Sequence, residues 1–195
     1  MKKAVTACTL MATALVFLAC ASVRHRFLVE GYTKNPGLMI KRIVIISDVS
    51  SQNRELTGLL NAMTRDVIKT NRNYLVYGIL STEQDVAEAC KTRDGVMKMR
   101  VDKADVAGER VEIEMTGELR RCSDHSLVWS ASARSSGKSR NRALENLIRS
   151  YVEEYGKQAE IFAAPAFNVI EDIVETMPNP VLTEDELIEK IDLEN

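Results

Sequence analysis

Histidine is scarce in this sequence of 195 residues, which contains only two. Neither His25 nor His125 belongs to a His-x-x-x-His pair that could bind zinc or to a serine-histidine-aspartate order. A glycine-rich phosphate loop is absent, and the formal net charge of −2 leaves no basic excess for binding a polyanion. The sequence therefore predicts no enzyme, no metal, no cofactor and no nucleic-acid partner.

Two further sets of candidate catalytic residues are explained by structural roles. Glu112 and Glu114 alternate with apolar residues, as on the solvated face of a strand, so a glycosidase pair is disfavoured. Ser50 and Ser51 suit the start of a helix better than a nucleophile. Trp129, the sole tryptophan, is expected in the core, with a binding hot spot as the alternative.

The N-terminus has the pattern of an export signal. Lys2 and Lys3 give it a positive start, and residues 4–19 carry no charge. This stretch is shorter than the ~20 apolar residues that a membrane span needs. We predict that residues 1–19 are a removed signal peptide, which leaves 176 residues with 24 basic and 28 acidic side chains.

The residues Val16-Phe17-Leu18-Ala19-Cys20 resemble the lipobox of bacterial lipoproteins, in which the cysteine receives a diacylglycerol and the signal is cut ahead of it. Lipoboxes usually have leucine where this chain has Phe17 and a small residue where it has Leu18. The resemblance implies that Cys20 is lipidated, incorporates palmitate and anchors the protein to a membrane. The alternative is ordinary cleavage after Ala21, which would release a soluble protein.

Position 21 bears on the location of the anchored protein. Under enterobacterial sorting rules an aspartate after the lipidated cysteine retains a lipoprotein in the inner membrane, and this chain has Ala21 there. We therefore expect the protein in the bacterial cell envelope, on the outer membrane and facing the periplasm.

The remaining cysteines predict a disulfide. Cys8 leaves with the signal and Cys20 is used by the lipid, so the mature domain retains Cys90 and Cys122. In an oxidising compartment two cysteines most simply form one bridge, although two separately buried thiols are the alternative. A bridge between them would close a loop of about 30 residues and stabilise the fold by ~3 kcal/mol.

The mature chain divides into three segments. Residues 20–41, with the turn signal Asn35-Pro36-Gly37, are expected to be the lipidated cysteine and a tether whose end-to-end reach is ~25 Å. Residues 42–177 are predicted to form an α+β domain. Residues 178–195 form an acidic C-terminal tail.

Hydrophobic periodicity predicts the order β-α-β-α-β-β-β-α within this domain. The predicted fold is a small mixed sheet with helices packed on one face, plus a C-terminal helical extension. Ser81-x-x-Gln84 and Thr183-x-x-Glu186 are capping-box patterns, and Pro165 suits the first turn of a helix. The strands are expected at 42–46, 73–80, 96–101, 111–116 and 127–132, and the helices at 52–70, 81–90, 144–155, from 165 and after 183.

A family resemblance lies in residues 42–160. A strand ending near Asp48, a long helix and a meander closing in Arg121-Cys122-Ser123-Asp124-His125-Ser126-Leu127-Val128-Trp129 resemble the domain shared by the amino-terminal part of the Tol translocation protein, the curli secretion lipoprotein and penicillin-binding-protein activator lipoproteins. Residues 161–195, with Ala163-Ala164-Pro165-Ala166-Phe167, Met177-Pro178-Asn179-Pro180 and Glu189-Lys190-Ile191, resemble a family of uncharacterised lipoproteins of myxobacteria and leptospires, which has no assigned activity. The resemblance to the Tol, curli and activator proteins implies a non-enzymatic adaptor or assembly factor that binds another envelope protein.

The tail is the best candidate for contact with that partner. It contains more aliphatic residues than a disordered acidic tail requires, among them Leu187, Ile188 and Ile191. Either the tail folds back on the domain, which we favour, or it presents an apolar ridge. The alternative functions are a small-ligand or lipid carrier with a pocket under the helices and, less favoured, an envelope hydrolase.

Overall fold

The computed structural model describes residues 22–48, 56–108, 110–138 and 144–194. None of the helices in these ranges is long and apolar enough to cross a membrane. The strands are β1 (Ser22–Leu28), β2 (Arg42–Asp48), β3 (Leu75–Ile79), β4 (Gly95–Ala107), β5 (Arg110–Arg121) and β6 (Leu127–Lys138). The helices are α1 (Leu56–Asn71), α2 (Glu83–Ala89), α3 (Glu145–Tyr155), α4 (Lys157–Glu175) and α5 (Glu184–Glu194).

The strands form one mixed sheet of six, in the order β1-β6-β5-β4-β2-β3. The chain from β4 to β6 is an antiparallel meander, and β1 adds to it antiparallel to β6. β2 lies between β4 and β3 and is parallel to both, with α1 as the crossover between β2 and β3. The predicted α+β class with a mixed sheet is confirmed.

Period-two sequence patterns place one face of the sheet in the core. In β5, Val111, Ile113 and Met115 are fully buried against the helices, while Glu112 and Glu114 between them are partly exposed on the other face. Helices α1 and α4 cover the buried face, α3 packs against both of them, and all three contribute to one hydrophobic cluster. The short helix α2 differs, because it packs on the opposite face over a smaller cluster.

The tether predicted for residues 20–41 is wrong in the described part of that segment. Residues 22–28 form β1, which pairs with β6 from Ser22 opposite Arg134 to Leu28 opposite Trp129. The chain that follows packs through Tyr32, which is 4% exposed and whose hydroxyl accepts a hydrogen bond from Ile40 N at 2.7 Å. β1 covers the edge of β6, which would otherwise present unpaired backbone groups.

The ends of the helices correct two details of the prediction. The capping box of α2 is formed by Thr82 and Asp85, one residue later than the expected Ser81 and Gln84. Pro165 lies inside α4 and does not start it. An interior proline costs a helix ~3 kcal/mol, but the apolar stripe of α4 is buried on both sides of it, so packing maintains one continuous helix.

Candidate functional site

Helix α5 lies beside the edge strand β3, and charged side chains join it to residues at the start of β2 and after α1. Lys41 Nζ donates to Glu186 at 2.7 Å, and Arg42 makes a two-pronged contact with Glu189, with distances of 2.7 and 3.2 Å. Lys190 Nζ donates to the carbonyl of Arg72 at 2.8 Å. The favoured prediction that the tail folds back on the domain is confirmed, and its expected cap forms between Thr183 and Glu186.

Three aliphatic side chains of α5 are largely exposed to solvent. Leu187, Ile188 and Ile191 are 46%, 60% and 59% exposed, and we call these three residues the α5 ridge. A surface helix normally turns its apolar stripe toward the core. We call α5 inverted, because Glu186 and Glu189 contact the protein, whereas the three residues of the ridge are largely exposed to solvent.

Acid is expected to release α5. Burial opposes ionisation of Glu186, but hydrogen bonds from Lys41 and Thr183 outweigh it and lower the pKa of its carboxyl. A carboxyl with a lowered pKa stabilises the fold above its unfolded pKa of about 4.3, and this stabilisation is lost as the pH falls through the folded value. We expect amide exchange in α5 to accelerate relative to α1 below about pH 4.

The matched control for this release is Glu186→Gln, which removes the titrating group. We expect the variant to have weakened α5 protection already at neutral pH and a flatter dependence on pH. An α5-to-α1 protection ratio that stays constant in the wild type from pH 7 to about pH 3 would contradict the role of Glu186.

The disulfide predicted between Cys90 and Cys122 is confirmed. The bridge joins the end of α2 to the turn after β5, with a Cα–Cα distance of 5.0 Å and a sequence separation of 32 residues. Next to the bridge, Val44, Ile46 and Val96 form the small cluster on the face of the sheet opposite α1 and α4. The bridge therefore fixes α2 against the sheet.

A cleft of about 390 Å³ opens between α2 and this face of the sheet. Ile46, Val86 and Val96 give it an apolar side, and its volume is within the range of small-molecule sites. Its other lining residues are polar or charged and come from three strands and one turn. They are Asp48, Lys98, Arg100, Glu118, Arg120, Arg121 and His125.

Most cations of the cleft already have carboxylate partners. Arg120 donates to Glu118 at 2.8 and 2.9 Å, and Arg100 donates to Asp102 at 2.7 Å. Lys98 lies 3.5 Å from the carboxylate of Asp48. These pairs reduce the positive field of the cleft, so it resembles a mixed polar and apolar pocket more than an anion site. The cleft is not predictable from the sequence, because only strand register brings Lys98 opposite Glu118.

His125 and Glu112, which were considered as catalytic candidates, make contacts that are typical of structural residues. His125 has a φ of 58° in the turn between β5 and β6, beside Asp124, which accepts a hydrogen bond from Ser126 N at 3.0 Å. Glu112 contacts Lys103 and Arg134, and its hydrogen bonds to them lower the pKa of its carboxyl, the reverse of what a general acid needs. Among the described residues no group of three or more His, Cys, Asp or Glu could hold a metal.

Several predicted residues lie outside the described ranges. Cys20 and the signal peptide are among them, so lipidation stays a prediction, and so do the capping roles of Ser50 and Ser51. Trp129 is described, and the expectation that it belongs to the core is confirmed. It is fully buried, and its Nε1 donates to the carbonyl of Thr176 at 3.1 Å.

No known protein family and no curated protein sequence matches the chain. Its fold is similar to that of the PelC dodecamer from Paraburkholderia phytofirmans, with a TM-score of 0.54 and 14% identity over 82% of this chain and 99% of that one. A variant of the same dodecamer gives a TM-score of 0.50 and 12% identity over 80% and 98% of the two chains.

Bacterial lipoproteins are also among the solved structures with a similar fold. Lipoprotein GNA1162 from Neisseria meningitidis matches with a TM-score of 0.42 and 13% identity, over 58% of this chain and 96% of that one. Similarity at such identities shows the fold alone. The closer resemblances expected from the sequence, to the Tol and curli proteins and to lipoproteins of myxobacteria and leptospires, stay predictions.

Proposed function

We propose that this chain is a lipid-anchored protein of the bacterial envelope and a non-enzymatic adaptor that binds another envelope protein. The observation that carries the proposal is the α5 ridge. Leu187, Ile188 and Ile191 are each about half exposed, on a helix that ion pairs hold in place. A short helix is marginal on its own, so these contacts preorganise the ridge and reduce the entropy lost when a partner binds.

The surroundings of the ridge indicate the chemistry of the partner. Side chains with spacings of three and four residues suit a helix lying in an apolar groove. Exposed carboxylates flank the ridge, at Glu184, Asp185 and Asp192. The complementary surface is a groove with an apolar floor and a rim of lysine or arginine.

A second copy of the chain is the alternative protein partner. PelC, whose fold is similar, forms a dodecamer. The cleft beside α2 favours a different function, a carrier of a small ligand or lipid, because its volume of about 390 Å³ suits such a molecule. One experiment separates these possibilities.

We expect Ile188→Asp with Ile191→Asp to abolish capture of the partner, because burying two carboxylates in an apolar groove costs far more than the few kcal/mol that the ridge contributes. Tagged full-length wild type and variant are purified in detergent from membranes of the native host, and the recovered proteins and lipids are quantified by mass spectrometry. Recovery of a stoichiometric partner should fall more than about tenfold, which corresponds to 1.4 kcal/mol.

The matched control is Val29→Asp, an aliphatic side chain that is 39% exposed beyond β1, at the opposite edge of the sheet. This control should retain the partner, and all three proteins should unfold at the same temperature. Equal recovery with the ridge variant, or no protein recovered with the wild type, would contradict the adaptor. A lipid or small molecule recovered in place of a protein would support the carrier, and the chain's own mass at multiple stoichiometry would identify self-assembly.

A further inference from the structure

The first strand starts almost at the proposed lipid anchor. β1 begins at Ser22, two residues after Cys20. Two residues span at most about 7 Å, so the chain has no room for a flexible tether between the lipid and the sheet. Lipidation at Cys20, which belongs to the proposed function and on which this inference rests, would therefore hold one end of the sheet at the membrane surface.

Strand register identifies which end of the sheet this is. Ser22 pairs with Arg134, and β6 continues from there to Lys138, which is opposite Arg110 at the start of β5. Because β1 and β6 are antiparallel, β1 begins at the end of the sheet where β6 ends. That end carries the hairpin between β4 and β5, closed by the pair Ala107 and Arg110.

The hairpin extends beyond the level of the anchor. Four residues of β6, 135–138, continue past the pair of Ser22 and Arg134, which corresponds to about 13 Å. Cys20 is two residues from Ser22, so it can lie at most about 7 Å beyond Ser22 in this direction. The described strands of the hairpin would therefore extend at least about 6 Å farther toward the membrane than the residue that would carry the lipid.

The side chains at the tip suit the interface between water and lipid. Val106 is 48% exposed, although it is opposite Val111, which is fully buried. Ala107 and Arg110 beside it are also exposed. A small apolar group next to an arginine can enter the headgroup layer while the guanidinium contacts lipid phosphates.

We propose that the tip of the β4–β5 hairpin, with Val106, Ala107 and Arg110, rests in the phospholipid headgroup layer beside the lipid anchor. In this orientation the strands extend from the membrane surface into the surrounding solution. The opposite end of the sheet, where β2 and β4 begin, lies about 40 Å from the tip, because β4 has 13 residues. Arg42, the first residue of β2, is at that end and contacts Glu189 of α5, so this orientation places the α5 ridge at the end of the sheet that is far from the membrane.

Depth-dependent fluorescence quenching tests this orientation. Full-length lipidated Val106→Trp is reconstituted in phosphatidylcholine vesicles that contain lipid brominated near the top of the acyl chain. We expect about a twofold loss of the added emission, since a tip residue would lie within the 5–10 Å that interfacial groups penetrate. Native Trp129 is fully buried and nine residues from Lys138, about 30 Å away, so it serves as an unquenched internal reference.

The matched control is Leu38→Trp, at an aliphatic residue that is 52% exposed and precedes β2 at the opposite end of the sheet. Its emission should be unaffected by the brominated lipid. Equal quenching at both positions, or none at Val106→Trp in protein that incorporates labelled palmitate, would overturn the orientation alone. Absence of palmitate from the wild type, or its persistence in Cys20→Ala, would overturn the anchor and this inference with it.

Discussion

Replacement of Trp129 by alanine is expected to destabilise the domain by about 4 kcal/mol, within the range for large aromatic side chains removed from a core. Trp129 is fully buried in β6 between Leu119 of β5 and Leu28 of β1. Alanine would leave a cavity and also deprive the carbonyl of Thr176, at the end of α4, of the indole N–H that donates to it. Urea unfolding followed by circular dichroism measures the loss.

The matched substitution is Trp129→Phe, which retains most of the apolar volume but removes the N–H donor and part of the fused ring. We expect it to cost about 1 to 3 kcal/mol, less than alanine, because the acceptor loses its hydrogen bond but the cavity is small. A total stability of about 5 to 15 kcal/mol makes the alanine loss a large fraction of the whole. A cost below about 1 kcal/mol for Trp129→Ala would contradict the core role of Trp129 and favour the alternative of a binding hot spot.

The sequence predicts the inner strands of the sheet best, because one face of such a strand is buried and its apolar residues alternate with polar ones. β5 is the clearest example, because Val111, Ile113 and Met115 alternate with charged residues and every apolar member is fully buried. β1 has no such signal. It lies at the edge of the sheet, nearly all of its residues are exposed, and its charged side chains resemble a tether in the sequence.

Long-range contacts explain what the sequence could not predict in the helices and the cleft. α4 continues through Pro165 because tertiary burial offsets the local cost, which a propensity argument does not include. The inverted orientation of α5 depends on Lys41 and Arg42, more than 140 residues earlier in the chain. The cleft depends on strand register in the same way, whereas Cys90 and Cys122 were predictable because few cysteines remain.

Removal of the disulfide is expected to destabilise the domain by about 3 to 4 kcal/mol, because the bridge closes a loop with a separation of 32 residues and restricts the unfolded chain. The double variant Cys90→Ser with Cys122→Ser avoids an unpaired thiol, and reduction of the wild type provides the same comparison without mutation. The urea midpoint of both should fall, and the transition should become steeper, because the unfolded chain without the bridge exposes more surface.

A local effect should exceed this global one at α2. The helix has only seven residues, too few to be stable alone, and it packs over a cluster of four buried residues. Without the bridge we expect amide exchange in α2 to approach that of an unfolded segment, while α1 under the main cluster changes only by the global loss. Since Val86 of α2 lines the cleft, the apolar side of the cleft would open as well. A carrier would then lose its ligand on reduction, whereas an adaptor that works through the α5 ridge would retain its partner. An unchanged urea midpoint would contradict the stabilising role of the bridge.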